Sequence, residues 1–124
     1  MAVPYETLKK RSQFVRVARK GDRCFSTVCS IQFLKAQEEE GVRIGFTATK
    51  RLGNAVIRNF AKRRMRSYVL DLLKKNVLTQ GDYVLIAQKD ILDLPYDQVS
   101  EQITHSFHKK KWGRLTGNSS SVTE

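Results

Sequence analysis

Residues 55–75 constrain the fold of this chain more than any other segment. Their apolar residues are Ile57, Phe60, Ala61, Met65, Tyr68, Val69, Leu72 and Leu73. The steps between them are three, one, four, three, one, three and one, which trace one face of an amphipathic α-helix. Such a helix needs a partner surface to cover its apolar side. Asn54 stands where an N-cap is required, just after the turn-forming Gly53. The opposite side is cationic. At about 100° per residue, Arg58, Asn59, Lys62, Arg63 and Arg66 cover a face beside the apolar stripe. No acid lies between Lys50 and Arg66. The segment therefore buries one side and presents a polar, positively charged one.

The partner surface is legible on either side of it. Residues 24–35 alternate in strand fashion. Cys29, Ile31 and Phe33 share one face, and Ser26, Val28, Ser30 and Gln32 the other. This stretch reads as one strand or two. Glu38 to Gly41 is a polar turn, so a hairpin to a second clear strand at 42–49 is expected. Residues 82–88 read as a buried strand after the turn at Gln80-Gly81. Upstream, Ser12 is expected to cap a short helix to about Lys20, with Phe14, Val17 and Ala18 on one stripe and Gly21 ending it. Residues 1–11 read as a loose basic arm. Downstream, Pro95 suits the first turn of a last helix. Its stripe is Tyr96, Val99, Ile103 and Phe107, and it runs to about Lys111. Residues 113–124 are rich in Gly, Ser and Thr and are expected to be disordered. The order is helix, two or three strands, helix, strand, helix. That is one α+β domain, residues 1–112, with helices packed on a small sheet.

Charge narrows the function. The 124 residues carry 23 Lys and Arg against 12 Asp and Glu, a formal charge of +11. The cations fall in three blocks: Lys9 to Arg23, Lys50 to Arg66, and Lys109 to Arg114. The acids gather in Glu38-Glu39-Glu40 and around Asp82 to Glu101, which suggests a positive side and an acidic one. Such a domain favours a polyanion: RNA, DNA or an anionic membrane surface. No apolar run reaches the roughly 18 residues of a membrane span, and Met1 to Gln13 lacks a signal-peptide core. A cytoplasmic location is expected. Cys24 and Cys29 are five apart, an odd offset that places them on opposite faces of one strand, so they read as unpaired thiols.

The segment Lys50 to Arg66, KRLGNAVIRNFAKRRMR, carries the chemistry. Arg suits an RNA surface because its planar guanidinium grips two phosphate oxygens and stacks on bases. The Gly53-Asn54-Ala55 turn offers backbone N–H groups at the helix start. Asn59 both donates and accepts hydrogen bonds. The pattern KxxGNAVxRNxxKRxxR resembles the signature of the bacterial ribonuclease P protein subunit. It is matched at Lys50, Gly53, Asn54, Ala55, Val56, Arg58, Asn59, Lys62, Arg63 and Arg66. The resemblance extends upstream through SQFVRVARKG, with Phe14 and Gly21, and downstream through DYVLIA, over roughly residues 8–112.

The resemblance implies an αβββαβα order like a ribosomal-protein domain, with an unusual left-handed βαβ crossover through the basic helix. It implies binding to a catalytic RNA that removes the 5′ leader of precursor tRNA with Mg2+ held mainly by the RNA, and no catalytic or metal-binding residue in the protein. It maps Lys50, Arg51, Asn54, Arg58, Asn59, Lys62, Arg63 and Arg66 onto contacts with the RNA subunit. It maps Phe14, Arg11, Ser26, Val28, Ser30 and Gln32 onto a cleft for the single-stranded leader. An aromatic there fits, since unpaired bases stack on rings without sequence demand. The family often has a second aromatic where Ala18 stands and a Tyr near Gln32. No protein oligomer is required.

Other readings are distinguishable. Phe14 also reads as an ordinary core residue of its helix. His105 and His108 lie three apart without a Cys or acid cluster to complete a metal site. Asp90, Asp93 and Asp97 suit turns and helix starts. Trp112 reads as a packed anchor. A nuclease acting alone needs an acid–base pair or metal-holding carboxylates, and the basic segment has none. A structural RNA-binding protein of the ribosomal type would differ in its RNA companion. A helix–turn–helix DNA binder lacks its first helix here.

Overall fold

The structure is a computed structural model and describes residues 5–36, 41–74 and 78–110. Among these, the chain runs β1 (Tyr5–Thr7), α1 (Arg11–Lys20), β2 (Asp22–Cys24), β3 (Cys29–Lys35), β4 (Val42–Thr47), α2 (Ala55–Lys74), β5 (Gly81–Ala87), α3 (Asp90–Asp93) and α4 (Tyr96–Lys110). The α+β order expected from sequence is present, with β1 and α3 added to it. The turn at 38–40, Lys111, Trp112 and the 113–124 tail lie outside the described residues, as do the side chains of Leu73 and His108.

The strands form one sheet in the order β1-β4-β5-β3-β2. β5 is central because its run GDYVLIA is apolar on both faces, and six of its seven residues are buried. It pairs parallel with β4 and antiparallel with β3. The expected hairpin between β3 and β4 is therefore corrected: β5 lies between them. Adjacency in sequence favoured the hairpin, but that pairing would leave the most apolar strand at an edge. β4 and β5 are parallel neighbours, and α2 supplies the crossover that parallel pairing demands. β1 runs parallel to β4 where a loose arm was expected, and Leu8 N–H continues the ladder to Ile44 O at 2.9 Å.

Strand alternation assigns the two faces. Ile31, Ile44, Tyr83 and Leu85 point to the side covered by α2 and α4, where Met65, Tyr68 and Ile103 close the main core. Phe33, Tyr83 and Phe107 stack in series, with centroids 4.5 and 5.5 Å apart. The other face carries Ser30, Gln32 and Leu34 of β3, and Val84 and Ile86 of β5. There α1 lays Val17 and Phe14 against Leu8, Val84, Leu34 and Ile86. Asp82 also turns to this face. It is 5% exposed and takes both Arg43 Nε and Nη2 at 2.8 Å, so it is a sheet-internal partner and not part of an acidic surface.

Three further expectations change. Ser12 does not cap α1, which starts one residue earlier at Arg11. Gln13 reaches back so that its Oε1 accepts the N–H groups of Lys9 and Lys10, both at 2.9 Å. The 24–35 stretch is two strands, since residues 25–28 form a loop. Cys24 and Cys29 therefore do not sit on opposite faces of one strand. Cys24 pairs with Ile31 in register and shares its face, as Cys29 does two residues before Ile31. Both are free buried thiols of the same core.

Candidate nucleic-acid interface

The first surface is the N-terminal half of α2. A turn closed by Leu52 N–H to Thr49 O (3.0 Å) leads into Gly53, whose φ of 155° lies in a region side chains disfavour. Asn54 then caps the helix: its Oδ1 accepts Ile57 N–H at 3.0 Å. This fixes the helix start, and its positive dipole end, beside exposed Lys50 and Arg51. Asn59, Arg63 and Arg66 are exposed; Lys62 and Arg58 are half-buried. The structure thus gathers all the sequence-assigned residues of this segment onto one turn and one helix face.

Two arginines of this segment behave differently from the rest. Arg64 turns inward, and its Nη1 donates to Ile91 O (2.6 Å) and Leu94 O (3.2 Å), the carbonyls that close α3. It anchors α3 to α2 and is withdrawn from the cationic face. Arg58 keeps its place on that face, but its Nε is buried and has no hydrogen-bond partner among the described residues. A buried donor left unpaired costs about 1–3 kcal/mol, and an acceptor brought by a ligand would recover this. The Tyr68 hydroxyl is likewise buried without a hydrogen-bond partner among the described residues, and burial pushes its pKa up.

The second surface lies between α1 and the sheet. Phe14 is half-buried and sits over Gly45 of β4. A Cβ on Gly45 would overlap the Phe14 ring, so the bare backbone is the seat for that ring. Sequence reading missed Gly45; the signal was a glycine inside a strand, between Ile44 and Phe46. On the same sheet face, across β5 on β3, lie Gln32, half-buried, and Ser30, 5% exposed. Gln88, also missed, donates from Nε2 to Ser30 Oγ at 3.0 Å. Ala18 is half-buried on α1 and adds no ring.

Three assigned cleft residues lie elsewhere. Val28 is wholly buried in the main core. Ser26 is bound into its own loop, donating to Cys29 O at 2.8 Å and accepting Cys29 N–H at 3.1 Å. It lines a separate cleft against α4 with Phe25, Gln102, His105 and Lys109. Both departures follow from the loop at 25–28, which breaks the two-residue alternation. Arg11 lines a shallow outer groove of α1 with Val15, Arg16, Arg19 and Lys20.

Comparison with known proteins settles the family. The family model described as "Ribonuclease P" matches residues 4–111. The chain belongs to the ribonuclease P protein family. The ribonuclease P protein component of Geobacillus thermodenitrificans (strain NG80-2) is 34% identical over 113 residues, covering 88% of this chain and 93% of the relative. That of Bacillus cereus (strain B4264) is 31% identical over 108 residues, covering 87% and 93%. The Staphylococcus aureus RNase P protein superimposes with a TM-score of 0.75 at 26% identity, over 90% of this chain and 98% of that one. The Thermotoga maritima RNase P protein, at 23% identity and a TM-score of 0.70, shares the fold over 90% and 99%. A ribonuclease P protein component is a subunit of a tRNA-processing endoribonuclease, a ribonucleoprotein, so its work involves an RNA partner. Among the described residues, no helix is long and apolar enough to cross a membrane.

Proposed function

We propose that the exposed face of α2 binds the catalytic RNA of ribonuclease P and that the α1–sheet cleft takes the 5′ leader of precursor tRNA. The observation that carries this is the sorting of the α2 cations. Arg58, Lys62, Arg63 and Arg66 stay with Asn59 on one outer surface, while Arg64 is spent inside on Ile91 O and Leu94 O. Charged side chains on one helix face release counterions from a phosphate backbone. The unpaired Nε of Arg58 is a donor held in place for one such oxygen.

The cleft supports the second half. Phe14 offers a ring, and Gln32 and Gln88 offer amide groups that bond to base edges of any sequence. The chemistry belongs to the RNA. Among the described residues no group of three His, Cys, Asp or Glu converges to hold a metal ion. Phosphate oxygens of the RNA would hold the magnesium that assists leader removal. A protein oligomer is not required for this role, which is set in the cytoplasm.

Reconstitution tests the reading. The protein and the ribonuclease P RNA of the same organism should together cleave precursor tRNA at low magnesium, with each alone inactive under those conditions. Cleavage by the protein alone would refute the assignment of the chemistry to the RNA.

A further inference from the structure

Two apolar side chains of α2 stand outside the phosphate-binding set. Phe60, expected in the buried stripe, is 41% exposed, and Val56, one turn before it, is 76% exposed. Phe60 is roughly 100° from Ala61 around the helix, so it lies at the edge of the stripe. The ring is nevertheless held. The Arg64 guanidinium lies over it, 5.3 Å from the centroid, and is itself fixed by its bonds to Ile91 O and Leu94 O. One face of the ring is thus backed by an anchored cation, and the residue stays open to solvent elsewhere. Arg63 follows three residues on, and Asn59 directly precedes it; both are exposed.

We propose that Phe60 is a stacking platform for an unpaired base of the RNA that α2 binds. Val56 covers the edge of that base, and Arg63 takes an adjoining phosphate. This rests on the reading of α2 as the RNA-subunit surface and adds a base contact to an otherwise phosphate-directed one. The surroundings select a nucleotide over an apolar protein partner. The ring is flanked by Arg63 and Asn59 and backed by Arg64, and a nucleotide supplies both a π-face and an anion at that spacing. A ring held in advance also loses little freedom when a base settles on it.

The test is equilibrium binding to the full-length ribonuclease P RNA of the same organism, across a range of salt concentrations. Phe60→Ala and Phe60→Leu should each weaken binding by roughly fivefold or more, and Phe60→Trp should retain it. The slope of log affinity against log salt should stay the same in all three, since no phosphate contact is removed. With Trp112→Phe as background, the emission of a Trp at position 60 should be quenched on RNA binding. Wild-type affinity in Phe60→Leu, or a changed slope, overturns the platform. So does a concentration-dependent dimer of the free protein that Phe60→Ala abolishes, which would assign the surface to a second copy. Arg63→Ala separates this from the wider reading. If it flattens the slope while Phe60→Ala has no effect, the interface stands and the platform falls. If neither matters, the α2 reading falls as well. Melting midpoints measured alongside confirm that each variant is folded.

Discussion

Gly45→Ala should set the proposed leader cleft against its own aromatic. A Cβ at this position would lie 2.6 Å from Phe14 Cζ and 3.2 Å from Leu8 Cβ, against the 3.4–4 Å of ordinary contact. Gly45 is buried on β4, so the strand cannot retreat without disturbing its pairing with β5. The ring must therefore move by about 1 Å, which is overpacking of the kind that costs about 1–3 kcal/mol. Phe14→Ala alone removes a half-buried phenyl, and about half of the 3–5 kcal/mol for a fully buried one is expected, roughly 1.5–2.5 kcal/mol. In the double variant the clash with the ring is gone and the milder 3.2 Å approach to Leu8 Cβ remains. The added methyl should then be neutral or stabilising, so the two changes should couple by about 1–3 kcal/mol. Urea melts of the four proteins measure this directly, provided the m-value is constant. Effects that add to within about 0.5 kcal/mol would refute the seating of Phe14 on Gly45. A second readout ties the geometry to function: both single variants should weaken binding of precursor tRNA more than of mature tRNA. Equal loss for the two RNAs would reduce Phe14 to a core residue.

Further outcomes follow from other contacts. Arg58→Ala combined with Arg63→Ala should flatten the salt dependence of RNA-subunit binding by about one unit of slope per lost phosphate contact; an unchanged slope would remove these residues from the interface. Arg64→Ala should destabilise the fold by about 2–4 kcal/mol, since two carbonyls lose a charged donor and Phe60 loses its cation; Lys at this site should recover only part, and denaturant melts read both. Iodoacetamide should label Cys24, which lines the cleft against α4, before Cys29, whose thiol is pushed up by complete burial; mass spectrometry of the native and unfolded protein gives the order. The N–H of Arg23, and then Lys110, hold the Asp22 carboxyl below the usual carboxylate range. That stabilisation is present above the unfolded pKa of about 3.9 and is lost as pH falls through the lower folded value. Because the pair is exposed, Asp22→Asn at neutral pH should cost at most about 0.5 kcal/mol, and less in high salt.

What could be read in the sequence depended on how local the cause was. α2 and α4 were legible because a helical stripe is a property of one segment. β5 was legible for the same reason, as a short apolar run. The sheet order was not, because nothing in residues 29–47 records that a strand thirty residues later comes between them. The break at 25–28 was hidden because Phe25, Ser26, Thr27 and Val28 continue the alternation that β3 keeps, so Val28 was placed on the wrong face. Lys62, Arg63 and Arg64 look alike in sequence, yet successive residues differ by about 100° around a helix, and the α3 carbonyls claim the third. Phe14 carried two readings, core and cleft. Its packing against Val84 and Leu8 meets the first, and its half-exposed ring leaves the second to the comparison of precursor and mature tRNA binding.

The central place of β5 also dictates when the molecule becomes whole. During synthesis, residues 29–47 emerge well before residues 81–87, and until then β3 and β4 have no partner between them. What can form early is what has already emerged: β2 against β3, which is local, and β1 against β4, which already joins Tyr5 to Val42. These two halves are joined only when β5 enters, through pairings that span up to 58 residues of chain, as between Cys29 and Ala87. Such long-range closure is slow and cooperative. It also means that neither of the two proposed RNA surfaces is finished first. Phe14 takes its seat with Val84 beside it, Ser30 meets Gln88, and α2 gains its floor in the same event. A nascent chain short of β5 therefore offers RNA a cationic helix without the sheet that orients it.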